Sequence, residues 1–171
     1  AGSALAVVST EKKTGATALA TSSWAVAAAH GFEDGQLMPR DFMLAITQRI
    51  AACVTVPVTA DFEGGYAVSP LDIEGSTGAL LATGIAGLNF EDQVVGGAGL
   101  YSISTQVPRI AAVRAACLRA SVPTFINART DLFLQQVDNG QHAGLIDQAI
   151  ARARAYQDAG ADYVLSFFPR P

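Results

Sequence analysis

Short apolar runs alternate with amphipathic stretches along the chain. Three runs follow a glycine: Ala18-Leu19-Ala20 after Thr14-Gly15-Ala16, Gly87-Leu88-Asn89-Phe90 after Thr83-Gly84-Ile85, and Tyr163-Val164-Leu165 after Ala159-Gly160-Ala161. Two more open on Val-Pro: Val56-Pro57-Val58-Thr59-Ala60-Asp61 and Val122-Pro123-Thr124-Phe125-Ile126-Asn127-Ala128-Arg129. The five runs recur roughly every 30 to 38 residues, the length of a strand plus a returning helix. Between them, apolar residues fall at helical spacing. Residues 40–54 carry Phe42, Met43, Ile46, Ile50 and Cys53, with Asp41 placed for capping or dipole compensation. Ser102 reads as an N-cap ahead of Ile103, Val107, Ile110, Val113, Cys117 and Leu118; residues 145–159 carry Leu145, Ile146, Ala149, Ile150 and Tyr156. Gly15, Gly84 and Gly160 then stand where each preceding helix ends.

Strands alternating with helices make an α/β protein with a parallel sheet, either doubly wound or closed into a (β/α)8 TIM barrel. Polar residues at the strand exits decide between them: Thr21-Ser22-Ser23, Asp61 with Glu63, Glu91-Asp92, and Arg129 with Asp131. A barrel brings such ends to one mouth, whereas an open sheet strings them along an edge. No G-x-G-x-x-G turn follows any strand, which further disfavours a dinucleotide-binding sheet. The expectation is one barrel domain over residues 1–171.

Composition narrows the function. Half of the 171 residues are apolar and no window approaches a membrane span. A net charge of −4 supplies no basic footprint for nucleic acid. Cys53 and Cys117, both in helical patterns, are expected to be reduced core thiols, and the protein to be cytoplasmic. No secretory leader opens the sequence as it stands.

Asp61, Glu63 and Glu91 are the central chemical feature. Asp61 and Glu63 lie two apart at a strand end and, in extended geometry, project to one side, where Glu91 from the next strand meets them. Gathered carboxylates repel, and a hard divalent cation such as Mg²⁺, or Mn²⁺ in its place, relieves them. The alternative is a set of solvated loop acids. Arg129 has the fork geometry for a substrate carboxylate, or pairs with Asp131 or Glu91 to shape the mouth. Ser22 and Ser23 stand at a strand exit before a helix, where they bind an anionic group or simply cap the helix. Lys12 and Lys13 are the only lysines and lie away from the strand exits, so no amine is placed for Schiff-base chemistry. His30 and His142 have no zinc-site spacing.

With these residues in view, the chain resembles the isocitrate lyase/phosphoenolpyruvate mutase superfamily. The resemblance is carried by Leu19-Ala20-Thr21-Ser22-Ser23-Trp24, Pro57-Val58-Thr59-Ala60-Asp61-Phe62-Glu63-Gly64-Gly65-Tyr66, Gly87-Leu88-Asn89-Phe90-Glu91-Asp92-Gln93, Asn127-Ala128-Arg129-Thr130-Asp131 and Tyr156-Gln157-Asp158-Ala159-Gly160-Ala161-Asp162. It implies a barrel enzyme working on 2-oxo acids or enolates, with Mg²⁺ on Asp61 assisted by Glu63 and Glu91. It also implies that Arg129 contacts the substrate, that Ser22 and Ser23 hold its carboxylate, these three being the catalytic candidates, and that Trp24 and Asp61 also belong to the substrate site. A homo-oligomer, dimer or tetramer, is implied too. By the same resemblance this chain represents barrel strands 2 to 6, with the first strand and the last two absent.

Two departures stand out. Glu63 occupies a position where the family more often has aspartate, lengthening the arm by a methylene. Residues 94–102, Val94-Val95-Gly96-Gly97-Ala98-Gly99-Leu100-Tyr101-Ser102, contain no Cys, Lys or His, where true isocitrate and methylisocitrate lyases carry a Lys-Lys-Cys-Gly-His lid. The leading expectation is a Mg²⁺-dependent lyase-like enzyme making or breaking a C–C bond in a small 2-oxo or 2-hydroxy carboxylate. A phosphonomutase or phosphonopyruvate hydrolase acting on a P–C bond is the second, and a non-catalytic dicarboxylate-binding barrel the third.

Overall fold

The computed structural model describes residues 15–136 and 139–166. The helix expected before Gly15, with Lys12 and Lys13, and the segment after Ser166 lie outside the described residues. Five strands, β1 (Leu19–Ala20), β2 (Val58–Asp61), β3 (Gly87–Glu91), β4 (Phe125–Thr130) and β5 (Tyr163–Ser166), form one all-parallel sheet. Their order is strictly sequential. A doubly wound sheet reverses its order at a switch point, and no reversal occurs here.

The connections are α1 (Ser23–Ala29), α2 (Arg40–Cys53), α3 (Pro70–Leu81), α4 (Ile103–Ala120) and α5 (Ile146–Asp158), with a 3₁₀ segment over Asn139–Leu145. Ser102 caps α4 as its sequence predicts, its Oγ accepting from Thr105 N at 3.1 Å. Gly84 and Gly160 adopt φ of 86° and 109° after α3 and α5, the left-handed conformation that ends a helix. Asp41 sits in the first turn of α2 behind Pro39, with no side-chain cap, so its contribution is to the helix dipole.

Burial alternates along the strands. Val58, Ala60, Leu88, Phe90, Ile126 and Ala128 are buried in one continuous core with Ile50, Ile73, Leu80, Ile110 and Val113 from the helices. The opposite face presents Thr59, Asp61, Asn89, Asn127 and Arg129, none fully buried. A period of two thus separates a face sealed by helices from a polar face that runs to the strand ends. Cys117 is in the core as expected, but Cys53 is exposed: at the end of α2 the apolar stripe of Met43, Ile46 and Ile50 is continued by Val54, which packs on the core, and not by Cys53. No helix among the described residues is long and apolar enough to cross a membrane.

Asp92, directly after β3, is fully buried and organises the sheet edge. Its Oδ1 accepts from Asp131 N at 3.1 Å, and its Oδ2 accepts from Arg152 Nη1 at 2.8 Å and Tyr156 Oη at 2.7 Å. Helix α5 is thereby fastened to the ends of β3 and β4. Breaking a buried pair from one side leaves an unpaired charge, so Asp92→Ala is expected to lower unfolding free energy by about 3–5 kcal/mol. Tyr156→Phe, which removes the hydroxyl that donates to Asp92 and accepts from Arg152 but leaves the Asp92–Arg152 pair in place, is expected to cost about 1–2 kcal/mol. Urea denaturation of both variants checks the ranking, and equal effects would contradict it.

Candidate functional site

The polar face ends in a cluster built by β1, β2, β3 and β4. Thr21, just past β1, accepts from Asp61 N through Oγ1 at 2.9 Å, and Ser23 N donates to Asp61 Oδ2 at 3.0 Å. One edge of the Asp61 carboxylate is therefore fixed by backbone. Its other oxygen, Oδ1, is buried and has no hydrogen-bond partner. Asn127 Oδ1 on the same sheet face is a second buried acceptor with none, while Asn127 Nδ2 donates to Asn89 Oδ1 at 2.7 Å. Acceptors buried without donors are costly unless something positive completes them.

Glu91 and Arg129 are register partners across β3 and β4, and Arg129 Nη1 lies 3.0 Å from Glu91 Oε2. Arg129 also grips Asp131 with two parallel bonds, Nε to Oδ1 at 2.6 Å and Nη2 to Oδ2 at 2.8 Å. Both partners weighed for Arg129 in the sequence are present together. Burial alone would lower the Arg129 pKa, but the Asp131 bonds and the Glu91 charge outweigh it and raise it. Glu91 is pushed up to about 8, because burial, with Asp131 and Asp61 nearby, overcomes the pull of Arg129.

Glu63 departs from the extended geometry expected of it. Strand β2 ends at Asp61, and Glu63 takes φ of 51°. Its side chain turns toward the loop after α1: Oε1 accepts from Gly35 N at 3.1 Å and Gln36 N at 2.8 Å, and Oε2 accepts from Tyr66 Oη at 2.9 Å. Burial raises its pKa against these bonds. Among the described residues, no three His, Cys, Asp or Glu side chains come together as a cation cage. The three acids stay within electrostatic reach of one another but face different partners: Asp61 keeps an open oxygen, Glu91 faces Arg129, and Glu63 is taken up by the loop.

Of the remaining predicted residues, Ser22 caps α1, its Oγ accepting from Ala25 N at 3.4 Å, and Ser23 acts through its backbone on Asp61. Trp24 follows in the first turn of α1 and is 67% exposed. His30 Nδ1 pairs with Val26 O at 2.9 Å and His142 Nε2 with Gln136 O at 2.8 Å, and neither lines the cluster. Asp34 was not singled out from the sequence. It shares a small cavity with Thr21, Ser23, Asp61, Glu63 and Tyr66, of about 10 Å³, room for about one water or one ion. The signal was present in Gly31-Phe32-Glu33-Asp34-Gly35, an acidic pair between glycines just beyond a helix.

Residues 93–100 fold back on themselves. Gln93 and Leu100 form an antiparallel bridge, Val94 N donates to Gly99 O at 3.0 Å, and Gly96 and Gly99 take the left-handed turn positions. Tyr101 then lies over the Arg109 guanidinium at 4.2 Å. Arg109 is itself buried and donates to the carbonyls of Gly64, Ala67 and Val68.

Comparison with known proteins places this geometry. A solved structure of a candidate phosphonomutase from Burkholderia cenocepacia J2315 superposes with a TM-score of 0.89 at 42% identity, covering 99% of this chain and 67% of that one. Phosphonopyruvate hydrolase, solved in complex with oxalate and Mg⁺⁺, shares the fold at a TM-score of 0.86 and 24% identity, over 99% of this chain and 57% of that one. The 2-methylisocitrate lyase of Escherichia coli K12 is 31% identical over 157 residues, 88% of this chain and 50% of that protein. The chain thus spans about half the length of the curated relatives it matches. The curled parallel sheet is that of phosphoenolpyruvate mutase-type structures, and the family model described as phosphoenolpyruvate phosphomutase matches residues 1–169. The chain belongs to the phosphoenolpyruvate phosphomutase family, within the phosphoenolpyruvate mutase/isocitrate lyase superfamily of lyases and mutases.

Proposed function

We propose that this protein is a Mg²⁺-dependent lyase-like enzyme acting on a small 2-oxo or 2-hydroxy carboxylate, with the described sheet supplying strands 2 to 6 of a (β/α)8 barrel. The observation that carries the reading is the unpartnered Asp61 Oδ1, on the same sheet face as Glu91 and Arg129. An acceptor-only oxygen beside a space the size of one ion suits a hard cation that keeps most of its ligands as water. Asp61 is the residue that would hold it. When bound, a divalent cation supplies Lewis-acid polarisation of a carbonyl and stabilises developing enolate charge.

The other roles follow from the chain's own groups. Ser23 N fixes the orientation of Asp61 before substrate arrives, so little reorganisation is required there. Arg129, braced by Asp131 from one side, presents its charge to a substrate carboxylate at the strand ends. Glu91, 3.0 Å from Arg129 Nη1, holds the other side of the guanidinium and fixes its direction. Residues 94–102 carry no titratable side chain other than Tyr101, so proton transfer falls to the acids at the strand ends. A second reading, P–C bond chemistry on a phosphonate, is favoured by the 42% identity to the candidate phosphonomutase.

With Mg²⁺ and pyruvate in D₂O, the full chain is expected to exchange the methyl protons, followed by NMR, and Asp61→Asn to slow exchange by about 100-fold or more. Undiminished exchange in the variant would remove Asp61 from the mechanism, and phosphate release from phosphonopyruvate would select the second reading. Glu91 also makes stability depend on pH. Its folded pKa is raised from 4.5 to about 8, so the folded state holds a proton that the unfolded state loses across that interval. Its contribution is fully present below pH 4.5 and falls as pH rises toward 8. Urea unfolding in chelator from pH 5 to 8 is expected to show a steeper loss in the wild type than in Glu91→Gln. Parallel curves would show that Glu91 is ionised throughout.

A further inference from the structure

Three of the four non-glycine residues with left-handed backbone among the described residues, Gln36, Glu63 and Tyr66, meet in one place. Such conformations are strained for residues with a Cβ and persist where surrounding contacts over-determine them. The contacts here run in both directions. Glu63 accepts from the backbone of Gly35 and Gln36, and Gln36 Oε1 returns by accepting from Tyr66 N. Tyr66 closes the ring by donating its hydroxyl to Glu63. Two loops far apart in sequence, one after α1 and one after β2, are stitched through a single buried carboxylate.

The stitch is backed from behind. Arg109 holds the carbonyls of Gly64, Ala67 and Val68 from the core side. A Cβ on Gly64 would come within 2.6 Å of Val95 Cγ2 and 3.2 Å of Gln36 Nε2, so the lid hairpin packs on the same point. All three donors to Glu63 would lose their acceptor if its carboxylate left them, and a buried donor left unpaired is destabilising. A side chain with both oxygens so engaged is poorly placed to act as a ligand.

We infer that Glu63 is a positioning residue: it pins the loop carrying Asp34 to the end of β2, fixing the Asp34 carboxylate on the cavity it shares with Asp61, and is not itself a cation ligand. The length of the glutamate arm is what the stitch requires, since both backbone N–H groups lie across the gap from β2. The inference relies on the proposed function only for Asp61 as the cation-holding residue; the stitch stands on geometry alone.

The test separates the two. In the metal-free full chain, amide hydrogen exchange of peptides covering Gly35 and Gln36 reads the stitch directly. Glu63→Asp is expected to accelerate exchange there by about tenfold or more, with peptides from β3 and β4 unchanged. Glu63→Gln keeps the length and an acceptor oxygen, and is expected to restore protection to within about threefold. Titration with Mn²⁺, followed by electron paramagnetic resonance, is expected to give Glu63→Gln an affinity within about threefold of wild type, whereas Asp61→Asn loses binding. If Glu63→Asp does not fold, Gln36→Ala, which removes the return bond, is expected to give the same local acceleration. Unchanged exchange in Glu63→Asp, or a loss of Mn²⁺ affinity of about tenfold or more in Glu63→Gln with protection intact, would overturn the inference. Absence of Mn²⁺ binding in the wild type would overturn the proposed cation site and leave the exchange contrast to decide the stitch.

Discussion

The buried carboxylate of Asp92 is the point from which the site is built. It takes a backbone N–H from Asp131 and two side-chain donors from α5. Its own backbone donates to Arg129 O, and its carbonyl accepts from Tyr101 N at the end of the lid hairpin. Asp131, held this way, aligns both of its oxygens with the Arg129 fork. One fully buried acid thus transmits the position of α5 to the arginine at the end of β4. A parallel sheet permits this because sequential strands end on the same side, so β3 and β4 deliver Glu91, Asp92, Arg129 and Asp131 together.

Arg109 and Glu63 do comparable work around the turn after β2. A guanidinium buried without a carboxylate is tolerated here because carbonyls, Gln106 and two aromatic rings surround it. It stiffens the turn after β2, and Glu63 then ties that turn to the loop bearing Asp34. Asp61 sits between these supports, one oxygen held by Ser23 and the other open. The polarity of the cluster is therefore arranged by residues that need not touch a ligand themselves.

Strands and helices were legible in the sequence because glycine and Val-Pro punctuation marks their ends. Asp61, Glu91 and Arg129 were legible as companions because each stands at the end of a strand, where a period of two decides the face. That logic failed one turn later. Glu63 lies past the last extended residue, and its positive φ carries its side chain away from the face that alternation assigns to it. Asp34 escaped because loops carry no periodicity, and its place depends on bonds from residues about thirty positions away. Cys53 fits the spacing of the apolar stripe, but so does Val54 beside it, and only packing decides that Val54 takes the core position. Ser22 and Ser23 were located correctly, and only the structure distinguishes a side-chain cap from a backbone grip on Asp61.

The most direct test is a crystal structure of the full chain with Mn²⁺ and oxalate, read by anomalous scattering. The account predicts a manganese peak coordinated by Asp61 Oδ1, oxalate on the polar sheet face within reach of Arg129, and Glu63 still bonded to Gly35 and Gln36. Manganese bound directly to Glu63 with that loop released, or absent from Asp61, would contradict it.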